Sequence, residues 1–166
     1  MAIFSKGERH VIAINNEYAN RSIIYGNRAS GLPETADDIF NGKMAHGISI
    51  FEMTDKSGAW APVVDSEYNR RITADTSFEI TGPARGHEWL KTKADPGGTR
   101  ASGTFNNCGN GETPWGTYLA CEENFNGYFS SSDLSYEASD TFKRYGIGNR
   151  DWGYGWAKTD ARFDIS

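Results

Sequence analysis

The sequence predicts a mainly β chain: antiparallel sheet joined by long loops, with short helical turns. Apolar residues fall in short runs bounded by turn residues, not at helical spacing. Gly is abundant, with 19 among 166 residues, and Pro is scarce at 5. Aromatics make up 13% of a chain that is only 37% hydrophobic. Trp, Tyr and Phe must therefore supply much of the buried surface.

Residues 10–18 begin as an apolar strand and end polar, at Asn15, Asn16, Glu17 and Tyr18. Residues 36–44 predict a two-turn helix, with Thr35 as N-cap and Asp37 and Asp38 in the first turn. Residues 47–54 alternate as a strand with Ile48 and Ile50 inward. Asp55-Lys56-Ser57-Gly58 is a turn, and residues 59–64 return as a hairpin partner. Residues 86–91 predict one further short helical turn. Residues 99–105, 115–122 and 162–165 predict strands, the first two joined by a Gly-rich turn. Residues 145–156 are Gly and aromatic without a period and read as a long ordered loop. Its rings need a packing partner: the rest of the chain, another molecule or a ligand.

Ile12-Ala13-Ile14-Asn15-Asn16-Glu17-Tyr18 echoes Leu119-Ala120-Cys121-Glu122-Glu123-Asn124-Phe125. Both are apolar strands that end in three polar residues and an aromatic. They lie 107 residues apart, or two units of about 50 residues, near the length of a β-propeller blade with its loops. Equivalent strand ends would then present carboxylates to a shared place.

The formal net charge is -5 and no basic run occurs, so no electrostatic footprint for nucleic acid or anionic membrane is present. No apolar stretch approaches the roughly 20 residues that cross a bilayer. The first ten residues do not have the pattern of a signal peptide.

Residues 103–128 concentrate ligand chemistry. Two thiols, Cys108 and Cys121, three carboxylates, and repeated Asn and Gly make a poor core but a good metal-binding segment. Two buried thiols or one disulfide would also account for the cysteines. Glu122 and Glu123 follow an apolar strand and, as strand neighbours, point to opposite faces. They are candidate ligands together with Cys108 and Glu17, and Asn106 and Asn107 sit beside them. Carboxylate and amide oxygens suit calcium; a thiolate in the same site favours iron or zinc. His46 and His87 are placed for burial, each as a hydrogen-bonded structural group or a ligand. Arg70, Arg71 and Arg100 are candidates for an anion clamp or for surface ion pairs. Phosphate-loop, dinucleotide, Gly-x-Ser-x-Gly and His-Glu-x-x-His patterns are absent.

Several segments together resemble the PhoX-type bacterial alkaline phosphatases. They are Val11 to Tyr18, His46-Gly47-Ile48-Ser49, residues 68–76, 80–88 and 91–99, then Asn106-Asn107-Cys108-Gly109-Asn110-Gly111-Glu112-Thr113-Pro114-Trp115-Gly116-Thr117 and Cys121-Glu122-Glu123-Asn124-Phe125-Asn126-Gly127-Tyr128-Phe129. The resemblance implies a β-propeller that hydrolyses phosphate monoesters with calcium and iron, exported through the twin-arginine route to the periplasm or beyond. It implies Cys108 as the thiolate on iron, Glu17 and one or both of Glu122 and Glu123 as carboxylate ligands, and the Asn106-Asn107 turn as shaping the site. Family propellers are several times longer, so residues 1–166 would be two to three blades of one. Such a portion would have open edges suited to self-association. A calcium- or glycan-binding module without catalysis, or an inactive truncated product, is the alternative expectation.

Overall fold

In the computed structural model, which describes residues 1–166, the first apolar run pairs on both sides. Strand β1 (Ala2–Lys6) and β2 (Arg9–Asn16) form a hairpin, and β2 pairs antiparallel with β3 (Gly47–Lys56), Ile12 lying opposite Phe51. The far edge of β3 is shared by β4 (Ala59–Pro62) and β5 (Arg70–Ile72). The result is a five-stranded antiparallel sheet. Two separate hairpins follow, β6 (Ser77–Glu79) with β7 (Arg100–Ser102), and β8 (Asn107–Glu112) with β9 (Tyr118–Glu122). This is the mainly β, antiparallel architecture that the sequence predicts.

Helices are short: α1 (Arg21–Ile24), α2 (Ala36–Ala45) and α3 (Asp140–Arg144). None is long and apolar enough to cross a membrane. As expected, Thr35 caps α2, and Asp38 completes a capping box by accepting from the Thr35 amide at 2.8 Å. Arg28 bonds Asp38 as well, at 2.9 Å, and holds its carboxyl well below the usual range.

Several expectations are corrected. The turn expected after residue 105 lies instead at 113–117, because Asn107–Glu112 pairs as β8. Residues 162–165 form no strand; their backbone contributes one parallel bridge, Asp164 to Ser130. Strands β1, β5 and β6 and helices α1 and α3 had no sequence signal strong enough to single out. The strand over 99–105 shrinks to Arg100–Ser102 because Gly103 turns away with φ +79°, and a Cβ there would lie 1.8 Å from the Ala74 carbonyl oxygen.

The core is aromatic. Phe105, Tyr128, Trp156 and Phe163 are buried with Ile39 and Ala74, and Phe125, Phe129 and Tyr154 pack against them. Tyr154 stacks on Tyr128 with centroids 3.9 Å apart, and Trp156 meets Tyr128, Phe163 and Phe105 at 4.6, 4.9 and 5.4 Å. The Gly and aromatic loop thus finds the partner for these two rings within its own chain. A charged cluster ties the same segment down. Lys43 Nζ reaches Asp75 and Asp160, both at 2.9 Å, and Arg162 bonds the same two carboxylates. Burial raises the Asp160 pKa, but the Arg162 and Lys43 hydrogen bonds outweigh it and hold the carboxyl well below the usual range.

Candidate metal centre

Three chain segments deliver one candidate ligand each. Glu17 follows the last residue of β2, Cys108 is the second residue of β8, and Glu123 follows the last residue of β9. The Glu17 and Glu123 carboxylates and the Cys108 Sγ lie with one ligand atom each within 4.8 Å of one another. That spread matches the width of a single coordination sphere, in which ligand atoms sit about 2.0–2.6 Å from one ion. Glu17 is half-buried, and Cys108 and Glu123 are exposed, so the cluster opens to the surface.

The local backbone aims these groups. Between β8 and β9, Asn107 pairs with Glu122 while Asn110 pairs with Ala120, so β8 carries one extra residue, a β-bulge. Bulges bend a strand and re-aim its side chains, and Cys108 sits within this one. The cluster is flanked by Asn106 and Asn124, two of the three non-glycine residues with positive φ, at +49° and +42°. Asn tolerates this left-handed region better than most residues.

Electrostatics identify what the cluster lacks. The thiol's hydrogen bond to the Glu123 carboxylate, burial, and the charges of Glu123 and Glu17 together push the Cys108 thiol up to about 11. Two carboxylates and a thiol converge with no Lys or Arg paired to either carboxylate. A cation offsets the repulsion between a thiolate and two carboxylates, and that donor set fits iron or zinc and, through the oxygens, calcium.

The remaining candidates divide. Strand alternation turns Glu122 away from Glu123; its carboxylate accepts from Thr104 Oγ1 at 3.0 Å and the Phe105 amide at 3.2 Å. Asn106 and Asn107 are buried beside Cys108, 1% and 0% exposed, and each leaves its Oδ1 without a partner. Asn107 Nδ2 donates to Thr104 Oγ1 at 2.7 Å. His87 is exposed rather than buried: its Nδ1 accepts from the Trp89 amide at 3.2 Å and caps the helical turn Glu88–Leu90. Cys121 is free, so no disulfide holds Cys108. The Arg candidates are engaged structurally. Arg71 donates to the carbonyls that end α2, and Arg100 donates to Ser77.

His46 is buried at 1% exposure. Its Nδ1 faces the Gly42 carbonyl at 2.6 Å and so carries the proton; its Nε2 accepts from Tyr128 Oη at 2.9 Å. Tyr128 Oη in turn accepts from Asn106 Nδ2 at 2.9 Å. Both imidazole nitrogens are spent, and the chain of bonds runs from α2 to the residue two before Cys108. Burial lowers the His46 pKa to about 4, against a weaker opposing effect of the Gly42 carbonyl. The rings of Tyr128, Tyr154 and Trp156 face the imidazole. Between the unfolded value of about 6.5 and this lower one, the unfolded chain binds a proton that the folded chain refuses. Stability is therefore full above pH 6.5 and falls as pH drops toward 4, by up to about 1.4 kcal/mol per unit from this group. Urea midpoints at pH 7 and pH 5 are expected to differ more for the wild type than for His46→Gln.

Sequence reasoning missed Asn15, Tyr118 and Tyr128. The Cys108-Gly109 bulge had a signal, Gly within a strand, but strand pairing was needed to place it.

A family model for alkaline phosphatase PhoX matches residues 1–166. The solved structure of Pseudomonas fluorescens PhoX in complex with vanadate, a transition state analogue, is similar at 42% identity and a TM-score of 0.89. The match covers 98% of this chain and 28% of that one. The chain thus spans between a quarter and a third of that protein's length. No curated protein matches the chain.

Proposed function

The chain belongs to the PhoX alkaline phosphatase family, and from that membership we propose that it is the part of a metal-dependent phosphomonoesterase that supplies one side of its metal centre. The convergence of Glu17, Cys108 and Glu123 carries this reading. Small phosphate esters are the proposed substrates, and the vanadate held by the similar structure supports them. Calcium and iron are the proposed cofactors, with Cys108 as the sulfur ligand and Glu17 and Glu123 as oxygen ligands. The three sheets are proposed as blades of an incomplete propeller, and the site of action as the periplasm or outside the cell.

When bound, the cations would neutralise phosphate charge and orient the attacking oxygen. The chain's own residues have the preparatory roles. The bulge at Cys108 presents the thiol outward. Glu123 and Glu17 crowd it from two other strand ends. Asn106, held by Tyr128 and His46, fixes the loop behind them.

Two measurements test the reading. The full chain, loaded with ferric iron and calcium and then desalted, is expected to retain iron and show a thiolate-to-iron absorption band. A chimera in which this chain replaces the matching segment of the Pseudomonas fluorescens protein is expected to hydrolyse p-nitrophenyl phosphate at alkaline pH. A chain that retains no iron, in a chimera that folds but has no turnover, overturns the proposal.

A further inference from the structure

Asn15 lies two residues before Glu17 and is half-buried on β2. Its Nδ2 donates to the Cys108 carbonyl at 3.0 Å and approaches the Gly109 carbonyl at 3.4 Å. Those two residues lie in the bulge, where the extra residue drops out of the ladder and its backbone groups need other partners. Asn15 Oδ1 accepts from Tyr118 Oη at 2.7 Å, and Tyr118 opens β9, the strand that ends just before Glu123. One side-chain amide thus joins all three segments that deliver the cluster. The only other side chain bonded to the Cys108 carbonyl is Asn110, at a longer 3.5 Å.

We infer that Asn15 is a positioning residue for metal binding: by pinning the bulge carbonyls to β2 and bonding Tyr118, it sets the separation of Cys108 from Glu17 and Glu123. It touches no proposed ligand atom and acts through the backbone of Cys108 and the hydroxyl of Tyr118. The inference rests on the metal-centre reading above. Groups behind metal ligands typically change affinity by about 10- to 100-fold when removed.

Asn15→Asp separates positioning from charge. It keeps the side-chain shape and an acceptor for Tyr118, but removes both amide donors. It also adds a negative charge beside the cluster, which by Coulomb's law alone would tighten cation binding. A loss of affinity therefore has to come from lost positioning. The probe is cobalt(II) titrated into the full chain, read by its thiolate-to-cobalt absorption band, at a temperature where circular dichroism shows every variant folded. Wild type and Cys121→Ala are expected to titrate alike. Asn15→Asp is expected to bind about 10- to 100-fold more weakly, and Tyr118→Phe, which removes only one hydroxyl, severalfold more weakly. Folded Asn15→Asp that binds cobalt as tightly as wild type, or more tightly, overturns the inference while leaving the metal centre standing. A wild type without the thiolate band shows that Glu17, Cys108 and Glu123 do not hold a cation in this chain, and overturns the inference; the phosphatase reading then stands or falls on the chimera.

Discussion

Glu123→Gln is expected to weaken metal binding by at least about 100-fold, while its neighbour Glu122→Gln leaves it within about threefold; the lower bound for Glu123 is the cost of losing a group merely behind a ligand. The two residues are adjacent and chemically identical, so the contrast is a test of geometry alone. Glu123 has an oxygen within 4.8 Å of the Cys108 sulfur and the Glu17 carboxylate. Glu122 is turned to the other side and bonded to Thr104 and the Phe105 amide. Gln keeps the volume of Glu and removes its charge, so a hard cation loses an anionic ligand in one case and nothing in the other. Cys108→Ala is expected to fall at least as far as Glu123→Gln, and to abolish any thiolate absorption band. A second readout needs no metal. Since Glu123 contributes most to the raised Cys108 pKa, Glu123→Gln should make Cys108 alkylate at lower pH than wild type, both in a Cys121→Ala background. Equal metal affinities for Glu122→Gln and Glu123→Gln would remove Glu123 from the centre.

The same pair marks how far the sequence could be read. Alternation along a strand establishes that Glu122 and Glu123 diverge, but which one faces Cys108 depends on pairing register. That register is shifted by one residue at the bulge, and a one-residue shift exchanges the faces. The N-terminal side of the centre was more legible. An apolar strand ending at Asn16 places Glu17 at a strand end whatever its partners are. The capped helix α2 was legible for a similar reason, since Thr35 and Asp38 bond only to their own first turn. Asn15 carries no such local signature. Its partners lie 93, 94 and 103 residues away, and a strand-end Asn reads as solvated until the β8–β9 hairpin is laid against β2. His46 and Tyr128 are likewise joined across 82 residues. The irregular strands failed for a complementary reason. Three-residue segments such as β5 and β6 are too short for a period of two to show, and long-range pairing rather than propensity makes them extended.

The C-terminal loop yields the largest expected effect on stability. Trp156→Ala is expected to cost about 3–5 kcal/mol, the usual range for deleting a buried Phe or Trp ring. The ring is 1% exposed and lies among His46, Phe105, Tyr128 and Phe163, with centroids 4.6–5.4 Å away. Few neighbours can collapse into the hole. Phe105 and Phe163 are themselves buried, Tyr128 is fixed by its bonds to His46 and Asn106, and α2 is anchored through Lys43 to Asp160. A void too small to refill loses its dispersion contacts outright. Trp156→Phe keeps an aromatic and should cost clearly less. It also deletes an indole Nε1 that has no hydrogen-bond partner, so no satisfied polar group is lost. Against a total of about 5–15 kcal/mol for a typical domain, the Ala variant forfeits a large share. The check is a urea titration by circular dichroism, where a lower midpoint at unchanged slope reports lost stability rather than an altered unfolded state. The effect should also reach the metal centre, because Trp156 packs on Tyr128, which holds Asn106, two residues before Cys108. Metal affinity measured below the transition should therefore fall for Trp156→Ala and hold for Trp156→Phe. A destabilisation below about 1 kcal/mol would mean that the loop does not pack on this core, and that its rings are free for a ligand after all.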